Sequence, residues 1–119
     1  KFPIIKKEEI SARNKFARNI LKITLDIEGR FLVLFVNHWK SKKSPETGRI
    51  IYASALKREI DKLEDDTDFI LTGDFNSDYN EFKTFRNKPK LNDTAGITGI
   101  NHILKTIMGF EIVSEKNLI

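Results

Sequence analysis

The chain has 119 residues, of which 39% are hydrophobic, and it carries nine Phe, so it is long enough for one small domain with a modest core. It has no cysteine, which excludes disulfides and thiolate metal sites. No apolar run approaches the roughly 20 residues that span a bilayer. We therefore expect a soluble chain without membrane insertion, and the compartment stays open, with export expected if a leader precedes Lys1.

The net charge of +4 is concentrated at the start of the chain. Residues 1–18 carry six basic and two acidic side chains, whereas the rest of the chain carries 15 of each. A short basic segment attracts phosphate groups, but the same segment is also compatible with an ordinary solvated surface.

Two strands are predicted in the first half of the chain. Residues 21–27 alternate between aliphatic and polar side chains, which is the pattern of a strand with one wet face. Residues 28–30, "EGR", then predict a turn, and residues 31–36 are apolar at every position. This second strand is expected to be the antiparallel partner of the first and to be covered on both faces.

A helix and a third strand follow. Ser44 and Pro45 predict an N-cap and a first-turn proline. The helix should end near the acidic residues 64–68, and residues 69–72 predict a buried strand that a crossover places in the same sheet. The apolar stripe of the helix comprises Ile50, Ala53, Leu56, Ile60 and Leu63.

The remaining pattern is weaker. It predicts a short helix at 79–85, a loop at 87–93, a helix at 103–108 that Gly109 stops, and a strand that starts at Phe110.

Polar groups follow both central strands where each strand ends. "NHWKS" at 37–41 supplies an imidazole and an ammonium, and "GDFNS" at 73–77 supplies a carboxylate and an amide. In open α/β sheets, ligands bind beyond the carboxyl ends of the strands. The crossover should therefore bring the residues after Val36 close to those after Gly73.

Each of these side chains has a chemical and a structural interpretation. Asp74 could orient or deprotonate a water or hold Mg²⁺, or it could simply form a turn. Asn76 could donate to a phosphoryl oxygen or to the local backbone, and Phe75 between them should pack inward. His38 could donate to phosphate or be structural, and Lys40 could bind phosphate or belong to a solvated loop.

The two motifs together resemble a known family. "LFVNHWKS" followed by "ILTGDFNS" is similar to the endonuclease/exonuclease/phosphatase superfamily, which includes deoxyribonuclease I-like nucleases. Upstream, "KFARN" resembles the arginine-bearing segment of the nucleases in this group, with Arg18 at the matching position. The resemblance covers about residues 18–77.

The resemblance implies both a fold and a reaction. The implied fold is α/β, part of a four-layer α/β/β/α sandwich with a mixed sheet. The implied reaction is hydrolysis of a phosphodiester by in-line attack of water, assisted by Mg²⁺ or Mn²⁺. His38, Asp74 and Asn76 would be catalytic, and Asp74 would also contact the metal. The substrate, nucleic acid or another phosphodiester, would be held by Arg18, Asn37 and Lys40.

The chain also departs from the family pattern. The family's early metal-binding Asn and Glu have no match here, and its late Asp-His pair has only a faint one in "GINHIL", with Asn101 at the Asp position and His102 after it. We therefore expect residues 1–119 to be one domain that forms part of a larger one, with the main metal ligands outside it and little activity alone.

Three alternatives remain at the level of sequence. The chain could be a non-catalytic module of the same core that binds nucleic acid or protein. It could belong to a lipid- or inositol-phosphate-directed phosphoesterase of the superfamily. It could also be a generic α/β domain whose strand-end polar residues are coincidental.

Overall fold

The protein has an α/β fold with a four-stranded mixed sheet. The computed structural model describes residues 2–13, 17–78, 80–85, 87–88, 90–107 and 109, and only the backbone of residues 102, 103, 106 and 107. The strands lie side by side in chain order, antiparallel except for the parallel last pair. They are β1 Ile4–Ile10, β2 Ile20–Ile27, β3 Arg30–His38 and β4 Asp68–Asp74.

The predicted hairpin between β2 and β3 is confirmed. Glu28 and Gly29 both have positive φ angles, 52° and 89°, between the paired residues Ile27 and Arg30. Two positive φ angles define the type I′ turn, whose twist matches that of the flanking strands. The Gly29 N–H donates to the Asp26 carboxylate at 2.8 Å, which fixes the turn.

The predicted crossover is confirmed, but the start of its helix was predicted wrongly. Helix α1 runs over Thr47–Asp61 with Glu46, not Ser44, at the N-cap position, and the Glu46 side chain makes no capping bond. Instead, Asp93 caps the helix from outside, because its carboxylate accepts from the Thr47 N–H at 3.0 Å and from the Thr47 hydroxyl. Ser44 lies before the helix, where its carbonyl accepts from Arg49.

The core lies between α1 and one face of the sheet. The core includes Val33 and Phe35 of β3 and Trp39, which directly follows this strand. Tyr52 and Leu56 of α1 are buried in the same cluster. Ala53 and Leu56 of the predicted stripe are fully buried, and Ile60 and Leu63 pack beside them.

The opposite face of the sheet is aliphatic, which corrects two predictions. β3 is buried on one face only by the residues that the structure describes, since Leu34 and Ile70 belong to no core cluster and Ile70 is 51% exposed. In β2, the polar set shares the α1 side of the sheet, where Lys22 pairs with Phe35. The uncovered face, called the outer face below, comprises Leu21, Ile23, Leu25, Leu32, Leu34, Val36 and Ile70.

Helical segments close the described part of the chain. α2 spans Glu81–Thr84, as predicted, and turns occupy the described residues of the predicted loop. A π-helix covers Gly99–Ile107, so it begins earlier than predicted, and it packs against α1. The strand predicted from Phe110 lies outside the described residues. No helix among the described residues is long and apolar enough to cross a membrane.

Candidate functional site

The two chemically rich strand ends lie side by side, as predicted. β3 and β4 are parallel, and their register makes His38 and Asp74 direct partners. Both side chains are exposed, and alternation along the strands puts them on the same side of the sheet as Leu34 and Ile70. An imidazole and a carboxylate therefore stand next to each other at the carboxyl edge of the sheet.

Gly73 permits this close approach. It has a φ of +118°, and a Cβ atom at this position would lie 2.1 Å from the Asn37 carbonyl oxygen. Any other residue would push the two strand ends apart or strain the backbone. The pairing continues past the strands, because the Trp39 N–H donates to the Asp74 carbonyl oxygen at 2.9 Å.

The segment Asp74–Phe75–Asn76 forms a tight polar turn. The Asn76 N–H donates to Asp74 Oδ1 at 3.0 Å, and Asn76 has a φ of 49°. Phe75 packs inward as predicted, edge-on to Trp39 with ring centroids 5.0 Å apart. The turn-forming interpretation of Asp74 is thus correct, and it leaves Oδ2 without a hydrogen-bond partner among the described residues. One carboxylate oxygen remains open to a water or a cation.

Asn37 is committed to the interior. It is 3% exposed, and its amide nitrogen donates to the carbonyl oxygens of Phe35 and Thr72 at 3.0 and 3.1 Å. Its amide oxygen accepts from Trp39 Nε1 at 3.0 Å. Trp39 is fully buried and stacks on Tyr52, so its ring belongs to the core and not to an exposed stacking surface. Asn37 therefore holds Trp39 in place and presents no free group to a ligand.

Arg18 lies at the carboxyl edge of the sheet, although it precedes His38 by 20 residues in the sequence. Its Nη1 donates to the carbonyl oxygens of His38 and Trp39 at 3.4 and 3.3 Å. Asn76 Nδ2 donates to the same Trp39 oxygen at 2.9 Å. Because the two donors share one acceptor, a guanidinium and an amide converge on one point beside Asp74. Arg18 is exposed, so its remaining N–H groups face solvent.

Lys40 follows in the same loop and is half-buried. Its ammonium has no ion pair or hydrogen bond with the residues that the structure describes. Lys42, two residues later, is instead paired with Glu81 and lies 3.8 Å from Glu46. Of these two lysines, Lys40 is the one that keeps its charge available.

A buried ionic network, which sequence reasoning missed, underlies the site. Glu46 and Arg49 are both fully buried, and Arg49 Nε donates to Glu46 Oε1 at 2.7 Å. Arg49 also donates to the carbonyl oxygens of Ser41 and Ser44 at 2.7 Å and of Leu91 at 3.1 Å. The spacing of three residues between Glu46 and Arg49 was the only sequence signal for this pair, and it is equally common on exposed helix faces.

The network reaches the candidate site through Ser77. The Ser77 hydroxyl contacts both Glu46 carboxylate oxygens at 3.1 and 3.2 Å. Glu81, which is also fully buried, accepts from the Asp78 N–H at 2.7 Å and from Asn92 at 3.1 Å. The loop that follows Asp74 and Asn76 is therefore held by two buried carboxylates.

The late segment "GINHIL", residues 99–104, lies in the π-helix. The Asn101 N–H donates to the hydroxyl of Thr98, the residue before the π-helix, at 2.9 Å, and the His102 side chain lies outside the described part of the chain. Within the described residues, no group of three or more His, Asp or Glu side chains is placed to hold a metal ion.

The structure thus defines an α/β domain with an exposed carboxylate and imidazole at the carboxyl ends of two parallel strands, beside the half-buried Asn76 amide and the exposed Arg18 guanidinium. Comparison with known proteins adds no further identity. No protein-family model matches the chain, and a search of curated proteins found no significant match.

Proposed function

We propose that this chain is part of a metal-dependent phosphodiesterase, nuclease-like in its substrate, with the four-layer sandwich of the endonuclease/exonuclease/phosphatase superfamily. The observation that carries the proposal is the direct pairing of His38 with Asp74 across two parallel strands. Arg18 and Asn76 converge on the Trp39 carbonyl oxygen beside them. A cationic donor, an amide donor, an imidazole and a carboxylate around one point are the groups that in-line attack on a phosphate requires.

Each exposed group has a chemical role in this proposal. Asp74 orients and deprotonates the attacking water through its open Oδ2, while Oδ1 stays bonded to the Asn76 N–H. Asn76 Nδ2 carries a second hydrogen beyond the one given to Trp39, and that hydrogen stabilises a phosphoryl oxygen as it gains charge. His38 donates to the same phosphate, and Arg18 binds a non-bridging oxygen.

A divalent cation fits the site in part. Mg²⁺ and Mn²⁺ prefer oxygen ligands, and Asp74 Oδ2 is an exposed carboxylate oxygen with no partner among the described residues. When bound, the cation supplies charge neutralisation at the phosphate. Asp74 would be one ligand of such a site, and the described residues bring no group of three or more His, Asp or Glu side chains together around it.

The outer face supports the sandwich. Seven aliphatic residues line one side of the sheet, and no described element covers them. An apolar sheet face of this extent is stable in water only when another layer packs on it. The proposed sandwich places a second sheet there, about 10 Å away.

The proposal is tested by turnover of the complete natural protein that carries this sequence. With Mg²⁺ or Mn²⁺, Asp74→Ala should lower kcat on single-stranded DNA and on bis(p-nitrophenyl) phosphate by about a hundredfold or more, as expected for loss of a positioned proton-transfer group. Asp66→Ala is the matched control, because Asp66 is exposed in the turn after α1, at the opposite edge of the sheet. Equal turnover of Asp74→Ala and the unaltered protein would refute the assignment.

A second candidate function is a non-catalytic module that binds nucleic acid. It is favoured by the lack of a three-ligand acidic cluster among the described residues. It predicts that the complete protein binds single-stranded DNA without hydrolysing it at any Mg²⁺ or Mn²⁺ concentration. Hydrolysis that depends on Asp74 would exclude it.

A further inference from the structure

A polar cavity adjoins the candidate site on the side of Arg18. It has a volume of about 250 Å³, below the range of about 300–1,000 Å³ typical of pockets for drug-sized molecules, so it suits a single small group. We call it the Lys40 pocket. Its lining residues are Arg18, Lys40, Ser41, Ser44 and Tyr52.

The lining is cationic and rich in hydrogen-bond donors. Arg18 and Lys40 are the charged residues among the described residues of the lining, and none of these described residues is a carboxylate. The Ser41 and Ser44 hydroxyls make no hydrogen bond with the described residues, so both are free to donate. Lys40 has no ion pair or hydrogen bond with the described residues, so an anion in the cavity would serve as its counter-ion.

Tyr52 adds a buried donor to the cavity. The residue is 1% exposed, and its hydroxyl oxygen accepts from the Arg18 backbone N–H at 3.0 Å. Because that bond uses only the oxygen lone pair, the hydroxyl proton remains available to a ligand in the cavity. Stacking on Trp39, with ring centroids 5.8 Å apart, fixes the direction of the Tyr52 ring.

Arg18 connects the cavity to the candidate site. It lines the Lys40 pocket, and its guanidinium donates to the Trp39 carbonyl oxygen that also accepts from Asn76. The cavity and the exposed groups around Asp74 are therefore reached by one side chain. A nucleic-acid strand carries a phosphate at every nucleotide, so a strand whose scissile phosphate lies at the candidate site has further phosphates directly beside it.

We propose that the Lys40 pocket binds the phosphate next to the one hydrolysed in a nucleic-acid strand. This inference rests on the proposed function, which places the scissile phosphate at the candidate site. The contacts available are charge and hydroxyl donors, which position a strand without selecting its sequence. The pocket would thus favour a polymer with consecutive phosphates over a substrate with one.

Binding is measured in EDTA, which chelates divalent cations and so prevents metal-dependent hydrolysis. The complete protein is titrated into a fluorescein-labelled single-stranded oligonucleotide, and anisotropy gives the affinity between 50 and 200 mM salt. Each phosphate contact contributes about 0.7 to the slope of log affinity against log salt for a single strand. Lys40→Gln should reduce the slope by about 0.7 and weaken binding about three- to tenfold at 50 mM salt.

Two variants serve as controls. Lys57→Gln removes a lysine of α1 that pairs with Asp61 and does not line the pocket, so it should leave the slope unchanged. Lys40→Arg keeps the charge and should keep the slope, which separates loss of an ionic contact from damage to the loop. An unchanged slope in Lys40→Gln, or an equal loss in Lys57→Gln, would overturn the proposal.

A vesicle arm and a turnover arm separate the remaining outcomes. If Lys40→Gln weakens flotation with anionic phospholipid vesicles but not oligonucleotide binding, the ligand is a lipid headgroup and the proposal is wrong. If the complete protein shows no hydrolysis, and the salt slope nevertheless depends on Lys40, the proposed function is wrong and the proposal for the pocket is supported. If the protein is active but the slope does not depend on Lys40, the pocket proposal alone fails.

Discussion

Arg49 offers the sharpest test of how the strand-end loops are held. The residue is fully buried, forms a 2.7 Å ion pair with Glu46, and donates to carbonyl oxygens in the loop before α1 and at Leu91. Replacement by Met keeps an unbranched side chain of similar length and removes every donor. It leaves a buried carboxylate without its closest cation and removes a hydrogen bond from the carbonyl oxygens of Ser41, Ser44 and Leu91.

The expected cost follows from this geometry. Removing one partner of a buried ion pair costs about 3–5 kcal/mol, because the Glu46 carboxylate stays buried with Lys42, 3.8 Å away and only partly buried, as its nearest cation. A domain of this size has a total stability of about 5–15 kcal/mol, so Arg49→Met should remove a large part of it. At about 4 °C per kcal/mol for a chain of 119 residues, the midpoint of thermal unfolding should fall by roughly 12–20 °C.

The assay is urea unfolding followed by fluorescence of Trp39, the single tryptophan, and by circular dichroism. Arg58→Met is the matched control, since Arg58 lies on the same helix, is half-exposed and has no ion pair with the described residues. It should change stability by at most about 0.5 kcal/mol. Arg49→Lys keeps the charge but loses the planar fork of donors, so it should fall between the two. A loss below about 1 kcal/mol in Arg49→Met would refute the structural role assigned to this network.

Two further predictions concern backbone fit and pH. Gly73→Ala should destabilise the protein by several kcal/mol, because its Cβ would lie 2.1 Å from the Asn37 carbonyl oxygen. Gly48→Ala in α1, where the nearest atom is Lys40 Cδ at 3.4 Å, should instead increase the free energy of unfolding by about 0.5–1 kcal/mol. Similar urea midpoints for the two variants would contradict this prediction. Burial raises the pKa of Asp93, but hydrogen bonds from the Thr47 hydroxyl and backbone outweigh burial and hold this pKa below its ordinary value. The carboxylate therefore stabilises the fold above about pH 4 and stops doing so as pH falls through its lowered pKa, so the stability difference between the unaltered protein and Asp93→Asn should shrink from pH 7 to pH 3.

The sequence predicts the elements whose pattern is local. β2, β3, α1 and β4 all follow from hydrophobic periodicity, and the parallel pairing of β3 with β4 follows from the helix between them. β1 was missed because its sequence, "IIKKEEI", has four charged residues in a row and alternates poorly. It forms a strand because β2 offers a partner along its whole length.

What the sequence does not predict depends on contacts between distant residues. The cap of α1 comes from Asp93, 46 residues beyond Thr47, so the nearby Ser44 was the natural but wrong choice. Alternation in β2 gives the correct period but not which face is covered, and the Lys22 ammonium lies over the Phe35 ring on the α1 side, 5.9 Å from its centroid. Glu46 and Arg49 are fully buried although buried charges are rare, and only the folded loops supply the partners that make their burial possible.

The candidate site and the core meet at Trp39. Its ring packs between Tyr52 and Phe75, its Nε1 donates to Asn37, and its carbonyl oxygen accepts from Arg18 and Asn76. A substitution at Trp39 would therefore change stability and the position of the polar groups together, and no assay could separate the two effects. Asp74 is exposed, Lys40 is half-buried and Arg49 is buried. Because these three side chains differ in burial, turnover, the salt dependence of binding and unfolding report on three different parts of the structure.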